Sequence, residues 1–331
     1  MPWHKGSTCE PPHDGPPLQR ERLLKAVLLM NHGGPEMLRY GDAPDPVARP
    51  GEVVVDIHAA SVNAADYKVR RGGGPYGNIR FPYILGRDFS GVISARGAGV
   101  GDLAVGDAVF GVTDQGQEGA YAEKIAIKAA IVAKKPASLG HAEAAAMALI
   151  SLTALWALDD TAHLKRGEKI LIQGGAGGVA GFAIQLAKHL GATVITTASA
   201  KNHAYVRQLG ADQVIDYNAE DFSQTVSGCD VVFDTVGGDV RPGCYKVLKP
   251  GGRMVWIAPA PEGFQPSRKD VQTLRPAVAR DRAHLQRMLT LLEAGAVWPP
   301  TIVRYKLADA AEAHRVSESR HLQGKLVLEV R

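Results

Sequence analysis

The residues best suited to chemistry lie in one stretch, Ile170-Leu-Ile-Gln-Gly174-Gly175-Ala176-Gly177-Gly178-Val179-Ala180-Gly181. An apolar strand-like run precedes it and an amphipathic helix-like run follows, the setting in which G-x-G-x-x-[G/A] cradles the pyrophosphate of a dinucleotide. Taken as Gly175, Gly177 and Ala180, the first residue permits a tight turn, the second lets the backbone touch phosphate, and the third lets helix and strand pack closely. Free N–H groups and the positive end of the helix dipole would face the charge, with Ala176, Gly178 and Val179 completing the contact. The plainer reading, a glycine-rich turn with no ligand, is disfavoured by the strand–helix units that follow. The next strand ends Thr196-Thr197-Ala198-Ser199-Ala200-Lys201, without the Asp or Glu that accepts from a ribose 2′-hydroxyl in NAD sites. A hydroxyl and an ammonium there suit a 2′-phosphate, Ser199 donating and Lys201 supplying charge. NADP(H) is the expected cofactor, against the alternative that Lys201 only faces solvent.

The elements that must position this cradle are strands at 169–173, 193–197, 213–216, 230–234 and 253–258, alternating with helices at 177–190, 201–209 and 240–248. A long Ala/Leu helix at 142–158 precedes them. Such alternation predicts an α/β fold with a doubly wound parallel sheet of Rossmann type. Residues 25–139 have another texture: short strands at 26–30, 53–60, 91–95, 108–112 and 120–127, cut by Gly and Pro, with one helix at 64–70. That pattern predicts a small, partly closed β-barrel. After a Pro/Gly-rich connection beyond Ala258 come a helix at 281–294, a helix at 309–317 and a strand at 325–330. The last two have no strand–helix partner and are expected to return to the barrel. The expected division is a flexible arm over 1–24, a barrel domain over 25–147 and 285–331, and a nucleotide domain over 148–284.

Composition narrows the function class. With 38 Lys and Arg against 34 Asp and Glu, the formal charge of +4 is small and in no block, which argues against nucleic acid or an anionic membrane as partner. The apolar run Ala144 to Leu158 is shorter than the roughly 20 residues needed to cross a bilayer, and reads as a buried helix. No secretory signal pattern opens the chain, and Cys9, Cys229 and Cys244 have neither disulfide nor metal-ligand spacing. A cytoplasmic protein acting on a small molecule is expected.

Further motifs occur in a fixed order: Ser61-Val-Asn63-Ala-Ala-Asp66-Tyr-Lys-Val-Arg70, Leu85-Gly-Arg-Asp88-Phe-Ser-Gly91, Val105-Gly-Asp107-Ala-Val-Phe-Gly111, Leu152-Thr153-Ala154, Leu209-Gly-Ala-Asp-Gln-Val-Ile-Asp216-Tyr217, Val232-Phe-Asp234-Thr-Val-Gly-Gly238, Leu248-Lys-Pro-Gly-Gly252 and Gly324-Lys-Leu-Val-Leu328. With the glycine stretch, they make the chain resemble a zinc-independent medium-chain dehydrogenase/reductase of the quinone oxidoreductase type, from Lys25 to the C-terminus. The resemblance implies a GroES-like β-barrel domain beside the Rossmann domain, and a homodimer. The zinc branch carries Gly-His-Glu where this chain has Gly86-Arg87-Asp88, and a four-cysteine lobe that three cysteines cannot supply, so no metal is expected.

The resemblance also implies hydride transfer from NADPH to a quinone or to an alkene conjugated to a carbonyl. It places Asn63 and Thr153 beside the nicotinamide and the acceptor carbonyl; their plainer roles are a helix cap and a hydroxyl bonded back to its own helix. Tyr217 is placed against the 2′-phosphate or adenine, with a plain surface tyrosine as its alternative. Thr235, Val236, Gly237, Ile257 and Ala258 line the nicotinamide ribose, and Lys325 is a further cofactor contact. Tyr67 and Lys68 are the acidic side chains nearest Asn63 in sequence; Tyr67 is a candidate proton donor, with bulk water as the alternative. Asp66 and Asp88 are expected to pair with a barrel arginine. Residues 71–77 are expected to form a flexing loop over the cleft. Two other readings stand beside the reductase: an enoyl-thioester reductase, needing a basic path from residues such as Arg70, Arg71 and Arg80, and a non-catalytic NADPH-binding sensor.

Overall fold

The computed structural model describes residues 23–72, 78–114, 116–266 and 268–331. The expected arm, up to position 22, and the loop at 73–77 lie outside the described residues. Leu23 and Leu24 are already part of β1 (Leu23–Leu29), two residues earlier than the expected start of the barrel.

β1 pairs antiparallel with β2 (Leu38–Pro44), a hairpin hidden in the sequence because Gly41 and Asp42 interrupt its alternation. β3 (Glu52–Val62) is long and nearly all buried, and leads through Asn63 into α1 (Ala64–Arg71). Next come β4 (Tyr83–Ile84), β5 (Asp88–Arg96), β6 (Ala108–Val112), β7 (Lys124–Lys128) and β8 (Val132–Lys134). Residues 120–123, expected as strand, touch β1 through a single Ala26–Ala122 bridge.

Helix α2 (His141–Leu155) continues as a π-helical turn over Trp156–Thr161. Its buried Ala142, Ala145 and Ala146 pack on Ala59 and Val327 of the barrel, whereas Ala144, Met147 and Leu152 belong to the nucleotide-sheet core. The expected division at 147/148 thus falls inside one continuous helix, because small side chains let a single helix serve both cores. By length and hydropathy alone His141–Thr161 would suit a membrane span, but 78% of that window is buried in the fold.

The parallel sheet follows: β9 (Lys169–Ile172), α3 (Gly178–His189), β10 (Thr193–Thr197), α4 (His203–Gln208), β11 (Gln213–Ile215), α5 (Phe222–Thr225), β12 (Cys229–Asp234), α6 (Arg241–Lys246) and β13 (Leu248–Trp256). The connection after Ala258 contains an unexpected short strand, β14 (Gln272–Leu274), whose outward side chains carry no apolar signal. The order β11-β10-β9-β12-β13-β14, all parallel, is that of a doubly wound dinucleotide-binding sheet.

After α7 (Arg282–Glu293) come β15 (Ile302–Lys306), α8 (Ala310–Glu318) and β16 (Lys325–Glu329). β16 pairs antiparallel with β3, giving the order β15-β16-β3-β5-β6-β8 with β7 also on β3. The last strand is therefore a barrel strand. Its neighbour β15 was invisible in the sequence because Arg304 and Lys306 break the apolar run.

Close backbone contact inside the barrel is set by Gly91 on β5, where an added Cβ would lie 2.0 Å from the Asp56 carbonyl oxygen of β3. Neither atom sits at the end of a flexible chain. Gly91→Ala is expected to destabilise the fold by about 3 kcal/mol, read as a lower denaturation midpoint at unchanged m-value.

Candidate active site

The carboxyl ends of the parallel strands converge on one edge. The glycine turn follows β9, Ser199 and Lys201 follow β10, Tyr217 follows β11, Thr235–Gly237 follow β12, and Ile257 and Ala258 follow β13. The turn after β9 is bonded to both neighbours: Thr235 Oγ1 donates to the Gln173 carbonyl at 2.7 Å, and Gly175 N–H to the Thr197 carbonyl, at the end of β10, at 2.9 Å. Asp234 shapes the turn after β12, accepting from the N–H groups of Val236 (2.9 Å) and Gly237 (2.8 Å) and from Arg241 Nε (2.5 Å). Ser199 Oγ accepts from Asn202 at 3.2 Å. Lys201 and Tyr217 are exposed.

Within the glycine turn the roles differ from those read off the motif. The residue that turns the chain is Gly174, at φ +72°, not Gly175. Gly175 is required because a Cβ would meet Thr196 Oγ1 at 2.2 Å, and that hydroxyl is fixed by donation to the Ile172 carbonyl at 2.6 Å. Gly178 opens α3 beneath the stem of Lys325, whose Cδ would be 2.7 Å from an added Cβ. Gly177 is crowded by nothing: the nearest atom to its Cβ position is 3.4 Å away, and its φ is an ordinary −76°. Its missing side chain leaves open surface over the first N–H groups of α3, which have no partner within the helix. That cradle fits a pyrophosphate.

The barrel side meets the cradle through Lys325. Its ammonium, buried with the rest of the side chain, donates to Asn63 Oδ1 (2.7 Å) and to the Val62 carbonyl (2.8 Å). Asn63 Nδ2 in turn donates to Asp88 Oδ1 at 2.9 Å, beside Ser61 Oγ at 2.7 Å, and Asp88 Oδ2 accepts from the Leu149 N–H of α2. Burial raises the Asp88 carboxyl and lowers the Lys325 ammonium, each held partly in check by the other. One helical turn beyond Leu149, Thr153 Oγ1 donates to the Leu149 carbonyl at 2.8 Å. Asn63 and Lys325 thus meet where the barrel reaches the cradle, whereas the Thr153 hydroxyl is bonded back to its own helix, one turn from the Leu149 that bonds Asp88. The Asn63 N–H is also bonded to Asp66 Oδ2 at 2.9 Å, so Asn63 stands at the head of α1 as well.

Three expectations are corrected. Asp66 does pair with an arginine, Arg87 at 3.6 Å, but Asp88 has Ser61, Asn63 and Lys325 around it instead. The reason is alternation along an extended chain, which turns Arg87 and Asp88 to opposite sides. Tyr67 is buried on α1 under the Arg71 guanidinium, one helical step round from Asp66, and is not joined to Asn63. Lys68 is exposed. Arg70, proposed for a basic path, is wholly buried and bonded to His314, the Gly33 carbonyl and Glu318, which leaves Arg71 and Arg80 as the exposed residues of that path.

Sequence reading missed Glu118 and Tyr121, because a charge in a glycine-rich turn ordinarily faces water. Glu118 Oε1 accepts from Arg87 Nε (2.9 Å) and Nη2 (2.8 Å), and Tyr121 Oη donates to Asp66 Oδ2 at 2.7 Å. A metal does not fit here. The cationic Arg87 is no ligand, Asp88 is occupied by its hydrogen bonds, and among the described residues no three His, Cys, Asp or Glu side chains converge as ligands.

A barrel closed by the C-terminal strand and joined to a glycine-cradled parallel sheet defines an NAD(P)H-linked oxidoreductase. Family models agree: an alcohol dehydrogenase GroES-like domain matches residues 49–137, and a zinc-binding dehydrogenase model matches 209–328. The solved structure of the quinone oxidoreductase from Coxiella burnetii is 35% identical with a TM-score of 0.87, over 94% of this chain and 100% of that one. The Escherichia coli quinone oxidoreductase, solved in complex with NADPH, is 29% identical with a TM-score of 0.85, over 92% and 100%. The NADPH-dependent alkenal/one oxidoreductase of Arabidopsis thaliana is 32% identical over 92% of this chain and 79% of that protein. The chain belongs to the medium-chain dehydrogenase/reductase family, quinone oxidoreductase type.

Proposed function

We propose that this chain reduces a small quinone, or an alkene conjugated to a carbonyl, with NADPH and without a metal. The observation that carries the reading is the meeting of Asn63 and Lys325 beside the cradle, with the Arg87 guanidinium where the zinc branch has a histidine ligand. When bound, the dinucleotide supplies the hydride. The chain's own residues orient and desolvate. Asn63 is locked between Asp88 and Lys325, a preorganised amide where the barrel reaches the cradle. Ser199 and Lys201 favour NADPH, since a hydroxyl and an ammonium suit a 2′-phosphate that a carboxylate would repel.

The test is NADPH consumption by purified protein with 1,4-benzoquinone and with a medium-chain 2-enal, each repeated with NADH, and with product analysis. Saturable loss of the alkene or quinone with NADPH, much weaker with NADH and unaffected by a chelator, is the expected result. Equal use of NADH would overturn the NADPH preference. Activity abolished by a chelator and restored by zinc would overturn the metal-free reading.

A further inference from the structure

Reduction of a conjugated alkene consumes a proton as well as a hydride; neither Asn63 nor Thr153 carries one acidic enough to give, and the Lys325 ammonium is turned to Asn63 Oδ1 and the Val62 carbonyl. Arg87, turned away from Asp88, lines a cavity of about 350 Å³ together with Asn78, Arg80, Tyr83 and Glu118. The Glu118 side chain is only 6% exposed. One of its oxygens is held by Arg87, and the other, Oε2, is buried with no hydrogen-bond partner in the protein.

The surrounding bonds and the cavity lining indicate which carboxyl can pass a proton to a bound molecule. Asp66 and Glu118 are two buried carboxylates facing the single guanidinium of Arg87, an arrangement that favours protonation of one of them. Asp66 does not line the cavity, and its Oδ2 accepts from Asn63 N–H and Tyr121 Oη. Tyr121 is committed to that donation by the chain behind it. Arg70 Nε donates to His314 Nδ1 at 3.2 Å, so the ring hydrogen sits on Nε2, facing the Tyr121 oxygen at 3.3 Å. Each carboxyl keeps one buried oxygen without a hydrogen-bond partner, Asp66 Oδ1 and Glu118 Oε2, and of the two residues only Glu118 lines the cavity.

We propose that this cavity seats the conjugated carbonyl acceptor and that the Glu118 carboxylic acid gives it its proton. The assignment rests on the reductase reading above. As the hydride forms the new C–H bond at the β-carbon, the alkene electron pair moves toward the α-carbon and carbonyl oxygen. The O–H bond of Glu118 breaks and its proton bonds to the α-carbon. Glu118 is left as a carboxylate beside Arg87 and recovers a proton from water entering the cavity. Burial and the charge of Asp66 push the Glu118 carboxyl up to about 7 against the pull of Arg87, and Arg80 and Tyr83 are the other ionisable groups on the cavity wall. An acid poised there can both give and regain its proton near neutrality.

Glu118→Gln is expected to lower kcat for an enone by about 100-fold and to abolish the fall of wild-type kcat/KM above about pH 7. In D2O the wild type should label one face of the product α-carbon, and the variant both faces, which a merely structural role would not produce. Without cofactor or substrate, the wild-type Tm should fall as pH rises from the ordinary glutamate range to about 7, and level off above it. A carboxyl raised on folding stabilises at low pH and loses that contribution on ionising; the variant should lack this fall. One-face labelling and an unchanged pH profile in Glu118→Gln would overturn the assignment while leaving the reductase reading intact. If the variant does not fold, the wild-type profile decides: enone reduction with no basic limb overturns it. A wild type that consumes NADPH with neither acceptor overturns both readings.

Discussion

Lys325→Met is expected to lower the stability of the folded chain by about 3–5 kcal/mol, because it strips a buried carboxylate of the cation that compensates it. Lys325 and Asp88 do not touch; the Asn63 amide stands between them, its carbonyl on the ammonium and its NH2 on the carboxylate. Removing the ammonium leaves Asp88 with neutral donors alone and the Asn63 amide oxygen without its donor. Against a typical total of about 5–15 kcal/mol such a loss is severe. The double variant Asp88→Asn, Lys325→Met should regain most of the stability, because an uncharged pair needs no compensation. Urea denaturation of the single and double variants, with matched m-values, measures both. A single-variant loss below about 1 kcal/mol, or a double variant no better than the single one, would refute the coupling.

Lys201→Glu should raise the KM for NADPH by about 10- to 100-fold, since a charge-assisted hydrogen bond worth about 1.5–3 kcal/mol is lost and repulsion added. The KM for NADH should change by less than about threefold, because that cofactor offers no charge at the same place. Lys201 is exposed, so the penalty should shrink as salt is raised. Steady-state kinetics with both cofactors at low and high ionic strength checks this. An equal rise for the two cofactors would mean that Lys201 serves the fold or the pyrophosphate rather than the 2′-phosphate.

What the sequence displays and what it conceals divide by range. The glycine turn, the strands around it and the barrel–sheet order are written in local patterns: apolar runs, turn glycines and helical spacing. Thr193–Thr197 and Ala108–Val112 fold within the bounds read for them. The strands that escaped, Leu38–Pro44, Gln272–Leu274 and Ile302–Lys306, have charged or polar outward faces and pair through long-range partners. In the site, the placement of Asn63 beside Lys325 joins residues at opposite ends of the chain, and nothing near either announces the other. Glu118 is the extreme case: it is held by Arg87, which also faces Asp66 on α1, and both are far from it in sequence. Even the motif misled in detail, since the residue that bends the chain, Gly174, lies one position before the one the spacing selects.

The bridge between Gly177 and Gly324, with Gly324 N–H donating to the Ala176 carbonyl at 2.8 Å, has a consequence for the order of assembly. A chain emerging from the ribosome presents its glycine turn while the strand that braces it has yet to be made. The barrel likewise waits for β16 to close against β3. Both halves of the catalytic cleft are therefore completed by one late segment, and a nascent chain stopped before Gly324 would lack the braced turn and the ammonium of Lys325.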